Sequence, residues 1–351
     1  MKQQRIPVAV LAATGSVGQR FIQLLDGHPW FEVTALTASE RSSGQTYEEA
    51  CHWLLPEPMP EWARSLPVLP TAADAVQVPL VFSALPADTA KTIEPEFAKA
   101  GSFVCTNASA FRQEPDVPIL LPEVNAAHLE ILKVQQHKRN WKGGIVANSN
   151  CTSTGMTIAL KALLDNFGLE SVFAVSLQAL SGAGYPGVAS MDILDNVIPY
   201  IGGEEEKVEL EPRKMLGDVG TDQLELAKFG LSVHTNRVAV SDGHLVCLSI
   251  RLAKRASAAE ASAVLSAYQG PPASRDLPSS PTPVILVRDE PDRPQPRLDR
   301  LTGKGMTTVV GRVRPDPQFD LKMVVLSHNT IRGAAGGSIY NAELMVKEGW
   351  M

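Results

Sequence analysis

The chain has 351 residues, 44% of them hydrophobic and 20% charged, enough for two packed domains and without the bias of a disordered or fibrous protein. With 38 acidic against 32 basic side chains the formal net charge is -6, so no basic field is offered to nucleic acid or to an anionic membrane. The four cysteines, Cys51, Cys105, Cys151 and Cys247, are dispersed, with no C-x-x-C pair and no histidine pair at ligand spacing, which argues against a disulfide framework and against a metal site.

The N-terminal stretch, residues 1–7, carries Lys2 and Arg5 and runs into a strand-like segment, and no apolar run is long enough to cross a bilayer; a cytoplasmic protein with reduced thiols is expected. Residues 6–11 are apolar, Ala-Ala-Thr-Gly-Ser-Val-Gly follows at 12–18, and Phe21, Ile22, Leu24 and Leu25 then fall at helical spacing. This predicts strand, tight turn and helix. Apolar segments at 31–38 and 78–84, a helical stretch at 88–100, and short strands at 102–106 and 144–147 around an amphipathic helix at 125–138 continue the alternation. Strands alternating with helices predict a parallel sheet, so residues 1–150 are read as one α/β, doubly wound, Rossmann-type unit.

Beyond Cys151, the residues Met156, Ala159, Leu160, Leu163, Leu164 and Phe167 mark one face of a helix. Strands then dominate, at 172–180, 237–239, 244–252, 306–313 and 321–327, with a helix at 258–268 between them. They predict a mostly antiparallel sheet in an α+β second domain over 151–332. Eight prolines between Pro271 and Pro296 predict an extended, passive connector with at most a short strand at 284–287. Gly333, Gly336 and Gly337 open a last helix.

A helix N-terminus that follows a strand presents unpaired N–H groups and a partial positive charge, and holds a pyrophosphate where glycines let the backbone approach. Gly15 and Gly18 fit that role, but Ala12 stands where the first glycine of such a fingerprint falls, and alone the pattern fits a plain structural turn equally well. After the second strand, Ser39, Arg41 and Ser42 occupy the place of the acidic residue that binds a ribose 2′-hydroxyl and suit a 2′-phosphate instead. NADP(H) is therefore expected in preference to NAD, unless Glu40 points inward.

Asn-Ser-Asn-Cys-Thr-Ser-Thr-Gly at 148–155 puts Cys151 at a strand-to-helix junction. The helix terminus favours the thiolate, and nearby hydroxyl and amide groups can donate to it or to an oxyanion. A lowered thiol pKa is expected there, whereas Cys51, Cys105 and Cys247 are read as buried and inert. Of the seven histidines, His244 is set in a turn, Ser-Asp-Gly-His, ahead of a strand, and is the candidate proton-transfer partner. Arg237 precedes it closely enough to face the same cleft. His28, His52, His128, His137, His234 and His328 are read as surface or capping residues.

Five runs together carry a specific resemblance: Ala-Thr-Gly-Ser-Val-Gly-Gln-Arg-Phe (13–21), Ser-Asn-Cys-Thr-Ser-Thr-Gly (149–155), Ser-Gly-Ala-Gly-Tyr-Pro-Gly (181–187), Gly-Gly-Glu-Glu-Glu-Lys (202–207) and Arg-Val-Ala-Val-Ser-Asp-Gly-His (237–244). In this order they resemble the aspartate-semialdehyde dehydrogenases, and residues 290–299 are most similar to the archaeal and fungal branch. The resemblance implies NADPH-dependent reduction of β-aspartyl phosphate to aspartate semialdehyde and phosphate, a step toward lysine, threonine and methionine. It implies that Cys151 attacks the acyl carbon, that His244 moves protons, and that Gln178 and Asn150 orient the acyl group. Arg237 would grip the substrate carboxylate, Glu204 the ammonium, and Arg112 and Lys207 the phosphate.

The cofactor would rest on Thr14, Gly15, Ser16, Val17 and Gly18, on Ser39, Arg41 and Ser42, and on Ser181, Gly182 and Asn329. The C-terminal helix at 333–351 would return to complete the first domain, and the second domain would dimerise, giving a homodimer or homotetramer. No metal, nucleic acid or membrane partner is implied.

Without the resemblance, residues 204–207 read as a solvated charge run. Two positions depart from the family pattern: Ala12 replaces a glycine, and Ser149 stands where a proline usually precedes Asn150. Rival readings are a reductase of another acyl phosphate such as N-acetylglutamyl phosphate, a diverged paralogue, a silent dimerising homologue, or a cysteine acyl hydrolase or transferase.

Overall fold

A computed structural model describes residues 5–351 of the chain; residues 1–4 of the N-terminal stretch, including Lys2, lie outside the described residues. Seven strands, β1 (Ile6–Leu11), β2 (Phe31–Thr37), β3 (Val68–Leu69), β4 (Leu80–Ser83), β5 (Phe103–Thr106), β6 (Ile119–Leu120) and β7 (Gly144–Asn148), form one sheet in the order β3-β2-β1-β4-β5-β7-β6. Every pairing in it is parallel. The order reverses between β1 and β4, so the crevice beyond their carboxyl ends is where such a sheet binds ligands.

Helices α1 (Ser16–Leu24), α2 (Tyr47–Ala50), α3 (Glu61–Arg64), α4 (Ala87–Ala100), α5 (Pro122–Asn125) and α6 (Ile131–Arg139) join these strands. The single helix expected at 125–138 is broken into α5, a 3₁₀ turn at Ala126–Glu130 and α6. Asn125 diverts its side chain to the backbone of Leu121 and Ile119, a local bonding habit that competes with the helical ladder.

The second sheet is built on helix α7 (Cys151–Phe167), whose residues from Thr152 to Leu160 are all buried; a helix covered on every side belongs to a core. After α7 come β8 (Leu169–Gln178), α8 (Ser190–Ile193), α9 (Glu204–Met215), the small hairpin β9 (Asp218–Val219) and β10 (Leu224–Glu225), β11 (Gly230–Arg237) and β12 (His244–Leu252). Then follow α10 (Ala258–Ala267), β13 (Ile285–Arg288), α11 (Pro296–Asp299), β14 (Thr308–Pro315), β15 (Leu321–Ser327) and α12 (Gly336–Lys347).

The six-stranded sheet runs β11-β8-β12-β15-β14-β13. Its three central pairings are antiparallel, but the edge pairs β11–β8 and β13–β14 are parallel, so the sheet is mixed. One face, including Val172, Ala174, Val246, Leu248, Met323 and Val325, is buried, with α7 packed against β12 and β15.

The strand expected at 237–239 lies earlier: β11 ends on Arg237 rather than beginning there. Its open face carries Ser232, His234 and Asn236, which hides it from an apolar-run reading. The last helix is preceded by a π-type turn at Ile331–Ala335 and packs on β4, β5 and β7 of the parallel sheet. Among the described residues no helix is long and apolar enough to cross a membrane.

Candidate active site

Strand pairing brings three functional side chains to one sheet end. β8 and β11 are parallel and pair Gln178 with Arg237, their last residues. β12 runs antiparallel to β8 and pairs Leu245 with Leu177, so its first residue, His244, emerges beside both. Facing them is the start of α7, where Asn150 caps the helix: its Oδ1 accepts the N–H of Thr152 at 2.8 Å and of Ser153 at 3.2 Å. Cys151 is the first helical residue, and its Sγ lies 3.2 Å from His244 Nε2. Ser149, in the place of the family's proline, bonds its hydroxyl to Thr154 Oγ1 at 2.7 Å, and that hydroxyl donates to the Asn150 carbonyl. The junction is thereby tied without a ring.

The His244 tautomer follows from its second nitrogen. Nδ1 accepts the backbone N–H of Ala179 at 3.0 Å, so the ring proton of a neutral imidazole sits on Nε2, aimed at the sulfur. Burial, with Arg237 and His328 nearby, pushes the imidazolium pKa down to about 3. The Cys151 thiol is pushed up to about 12 by burial and then by the charge of Glu204, against the pull of Arg112 and Arg237. The expected lowering at the helix terminus is thus overturned: Asn150 already occupies two of the free N–H groups there, and desolvation outweighs what remains. The resting pair is a neutral thiol beside a neutral imidazole.

Arg237 is buried and donates from Nη1 to the Ala179 carbonyl at 2.7 Å. A Cβ on Gly182 would stand 2.9 Å from that nitrogen and 3.0 Å from His244 Cε1, so a side chain there would have to push the guanidinium or the ring aside. Glu204 opens α9, and its Oε1 accepts from Asn150 Nδ2 at 2.9 Å and from Gln178 Nε2 at 3.1 Å. Its Oε2 is 3.9 Å from Lys207 Nζ. The charge run is therefore a helix whose first glutamate is buried in the site. Arg112 reaches the same cluster through Glu211, at 3.1 Å.

The glycine turn sits at the strand-order reversal. Gly15 caps α1 with no side-chain bond to the helix N–H groups. A Cβ on Gly18 would lie 2.3 Å from the Ala12 carbonyl oxygen, the close strand–helix approach that a dinucleotide fold requires. Ala12 itself has φ 55, the left-handed region. Ser39, Arg41 and Ser42 lie on or beside the short turn after β2, with Ser39 and Arg41 exposed.

A cleft of about 300 Å³ is lined by Ser16 and Arg20 on one side and by Ser181, Tyr185, Asp242 and Thr330 on the other. Asn329 spends both amide ends inside the protein, donating to Ser181 Oγ at 2.7 Å and accepting from Gly243 N at 2.9 Å, so it shapes the cleft from behind. An open helix N-terminus, a glycine cradle and a hydroxyl–guanidinium cluster after β2 fit an NADP-type dinucleotide. A cavity of about 890 Å³ at the opposite end of the parallel sheet, against Val78 and Ser102, holds none of these residues.

A model of the semialdehyde dehydrogenase NAD-binding domain matches residues 7–132, and one of the semialdehyde dehydrogenase dimerisation domain matches residues 160–332. Aspartate-semialdehyde dehydrogenase of Archaeoglobus fulgidus is 50% identical over 98% of this chain and 99% of its own length. The chain belongs to the aspartate-semialdehyde dehydrogenase family. The Schizosaccharomyces pombe member is 46% identical over 98% of this chain and 99% of its own length. A solved structure of the Candida albicans member with NADP superposes with a TM-score of 0.91 at 42% identity, covering 99% of this chain and 100% of that one. The archaeal and fungal likeness expected from residues 290–299 is therefore borne out, as is the Rossmann-type sheet joined to a second sheet.

Several expectations need correction. Cys247 is exposed, on the open face of β12, whereas Cys51 and Cys105 are buried. His28, His128 and His328 are buried rather than superficial; His28 and His328 do cap backbone, their Nδ1 atoms accepting N–H groups of Trp30, Phe31 and Ile331, while His128 bonds the Gly217 carbonyl at 3.0 Å. Glu211, Lys214 and Arg20 escaped sequence reasoning. The signal for the first two was present: Glu204, Lys207, Glu211 and Lys214 recur at a spacing that puts them on one helix face.

Proposed function

We propose that the chain catalyses NADPH-dependent reduction of β-aspartyl phosphate to aspartate semialdehyde and phosphate through a thioester on Cys151, in the biosynthesis of aspartate-family amino acids. The observation that carries this reading is the Cys151–His244 contact at 3.2 Å, with Arg237 and Arg112 both near enough for their charges to act on the sulfur. The Cys151 sulfur attacks the acyl carbon as the C–O bond to phosphate breaks, and the thiol proton departs on the leaving phosphate, so that thiol and acyl phosphate become thioester and hydrogen phosphate. NADPH, when bound, would supply the hydride that reduces the thioester, and the resulting thiohemiacetal on Cys151 releases the aldehyde as one proton is taken up and the thiol is restored.

His244 keeps its Nε2–H toward sulfur and carbonyl oxygen and stabilises negative charge on either. Moving a proton through its ring requires Nδ1 to release the Ala179 N–H. Arg237 grips the substrate carboxylate with its planar fork. Glu204 meets the ammonium through Oε2, because Oε1 is held by Asn150 and Gln178, which in turn are fixed to orient the acyl group. Arg112 and Lys207 hold the phosphate. Residues 14–18 would hold the cofactor, with Ser39, Arg41 and Ser42 for its 2′-phosphate and Ser181 and Gly182 for its nicotinamide end.

In this reading residues 1–150 with the C-terminal segment 333–351, which carries α12, form the cofactor domain, and residues 151–332 the catalytic and dimerisation domain. The open face of the mixed sheet carries Phe173, Val175, Leu177, Leu245, Cys247 and Val324, half-buried or exposed, and a second copy of the chain covers it in a homodimer that can pair into a homotetramer. A cytoplasmic site of action accords with the need to keep Cys151 reduced.

The test is the reverse reaction with aspartate semialdehyde, NADP and phosphate, followed by absorbance of the reduced nicotinamide. Wild type is expected to turn over, and Cys151→Ser to fall at least about a thousandfold. No wild-type signal, or an unchanged rate in the variant, overturns the reading.

A further inference from the structure

Resting on the functional reading above, we propose that Glu211 is a positioning residue that registers the anion held by Arg112 with the nucleophilic end of α7. Glu211 lies on α9, only 2% exposed, and its two oxygens join two parts of the site. Oε1 faces Arg112 Nη1 at 3.1 Å, and Oε2 accepts the backbone N–H of Asn150 at 2.5 Å. Arg112 is otherwise pinned: Nη2 donates to the Asn107 carbonyl at 2.8 Å, and its own carbonyl accepts from Lys214 Nζ at 2.8 Å. The peptide unit that Glu211 holds leads directly into Asn150, whose side chain caps α7 and bonds Glu204. One carboxylate thus sets the distance between the phosphate-binding cation and the backbone that presents Cys151.

A buried carboxylate between a guanidinium and an N–H group is stable only while both partners remain. An incoming phosphate draws on the same guanidinium, so the pull is passed through Glu211 to the turn ahead of Cys151. Glutamine cannot replace it. Its carbonyl oxygen serves one partner, but its NH₂ group then meets the other donor against donor, and one of the two links breaks.

Inorganic phosphate is the probe. Alkylation of Cys151 by iodoacetamide, followed on its own peptide by mass spectrometry, is measured across a phosphate titration in full-length wild type and Glu211→Gln. Phosphate is expected to change the wild-type rate, with a midpoint that rises about tenfold or more in the variant. In the reverse assay the KM for phosphate should rise by the same factor, while the KM for aspartate semialdehyde moves less than about threefold. A merely structural role lowers kcat and thermal stability and leaves the phosphate midpoint in place.

An unchanged midpoint in Glu211→Gln, or a wild-type rate indifferent to phosphate, overturns the proposal. Should that variant not fold, Glu211→Asp keeps the charge but is one methylene too short to span both partners, and is read the same way. Failure of wild type to turn over aspartate semialdehyde sinks the functional reading instead, and the alkylation arm still decides the role of Glu211.

Discussion

Ala12 holds a conformation suited to glycine. At φ 55 its Cβ costs about 1–2 kcal/mol, partly offset because alanine has less freedom to lose on folding than glycine. Ala12→Gly is therefore expected to raise stability by about 1 kcal/mol, read as a higher urea midpoint at unchanged m. NADPH titration of both forms should also show tighter binding by the glycine variant, since no methyl then crowds the pyrophosphate. Equal affinity would mean that the methyl does not bear on the cofactor.

Single residues also mark the limit of what could be read from the sequence. The junction at Cys151 and the turn at His244 were legible because their neighbours are small and polar next to apolar runs. The thiol's raised pKa was not, since it depends on Glu204 and on burial supplied from elsewhere in the chain.

Among the elements, those with strong period were legible in full. α7 carries its apolar residues at helical spacing and buries the hydroxyl residues of its first turns as well, and β12 and β15 occupy the spans their alternation predicts. α9 was not legible as a buried element, because Glu204 to Glu206 read as solvated charge until its neighbours are known. Nor was the break between α5 and α6, which a side chain of Asn125 enforces.

α4 carries a similar hidden feature. Glu94 is fully buried on its inner face and accepts from Thr106 Oγ1 at 2.6 Å, while Oε2 has no hydrogen-bond partner. Burial raises its pKa to about 7. The folded state therefore holds this proton more tightly than the unfolded chain, so the carboxylate destabilises the fold above about pH 7 and ceases to do so as pH falls toward 4.5. Glu94→Gln should gain about 2–3 kcal/mol at pH 8 and almost nothing near pH 4.5. Chemical denaturation at the two pH values checks this; an equal effect at both would mean that Glu94 does not titrate as described.

On the scale of the molecule, the two sheets meet the solvent differently. The parallel sheet is covered by helices, whereas the mixed sheet leaves one apolar face open. Cys247 pairs across to Val175 on one side and Val324 on the other, forming a row over three adjacent strands. Apolar surface of this kind marks a protein–protein contact. Sedimentation equilibrium is expected to give a dimer or tetramer for wild type and a shift toward monomer for Val324→Asp; a variant that keeps the full assembly would move the interface elsewhere.

The pairing of Gln178 with Arg237 has a bearing on how such an enzyme can change. Everything from residue 179 to the start of β11, including Glu204 and Lys207, is an excursion that leaves the sheet and rejoins it in fixed register. Apart from Ala179, Gly182 and Glu211, which touch the histidine, the arginine and the turn ahead of the cysteine, its composition can drift without displacing the sheet-end residues, so ligand selection and bond-making are largely separable for evolution: a new substrate can be acquired by rewriting the rest of the excursion while the cysteine, histidine and arginine stay where they are.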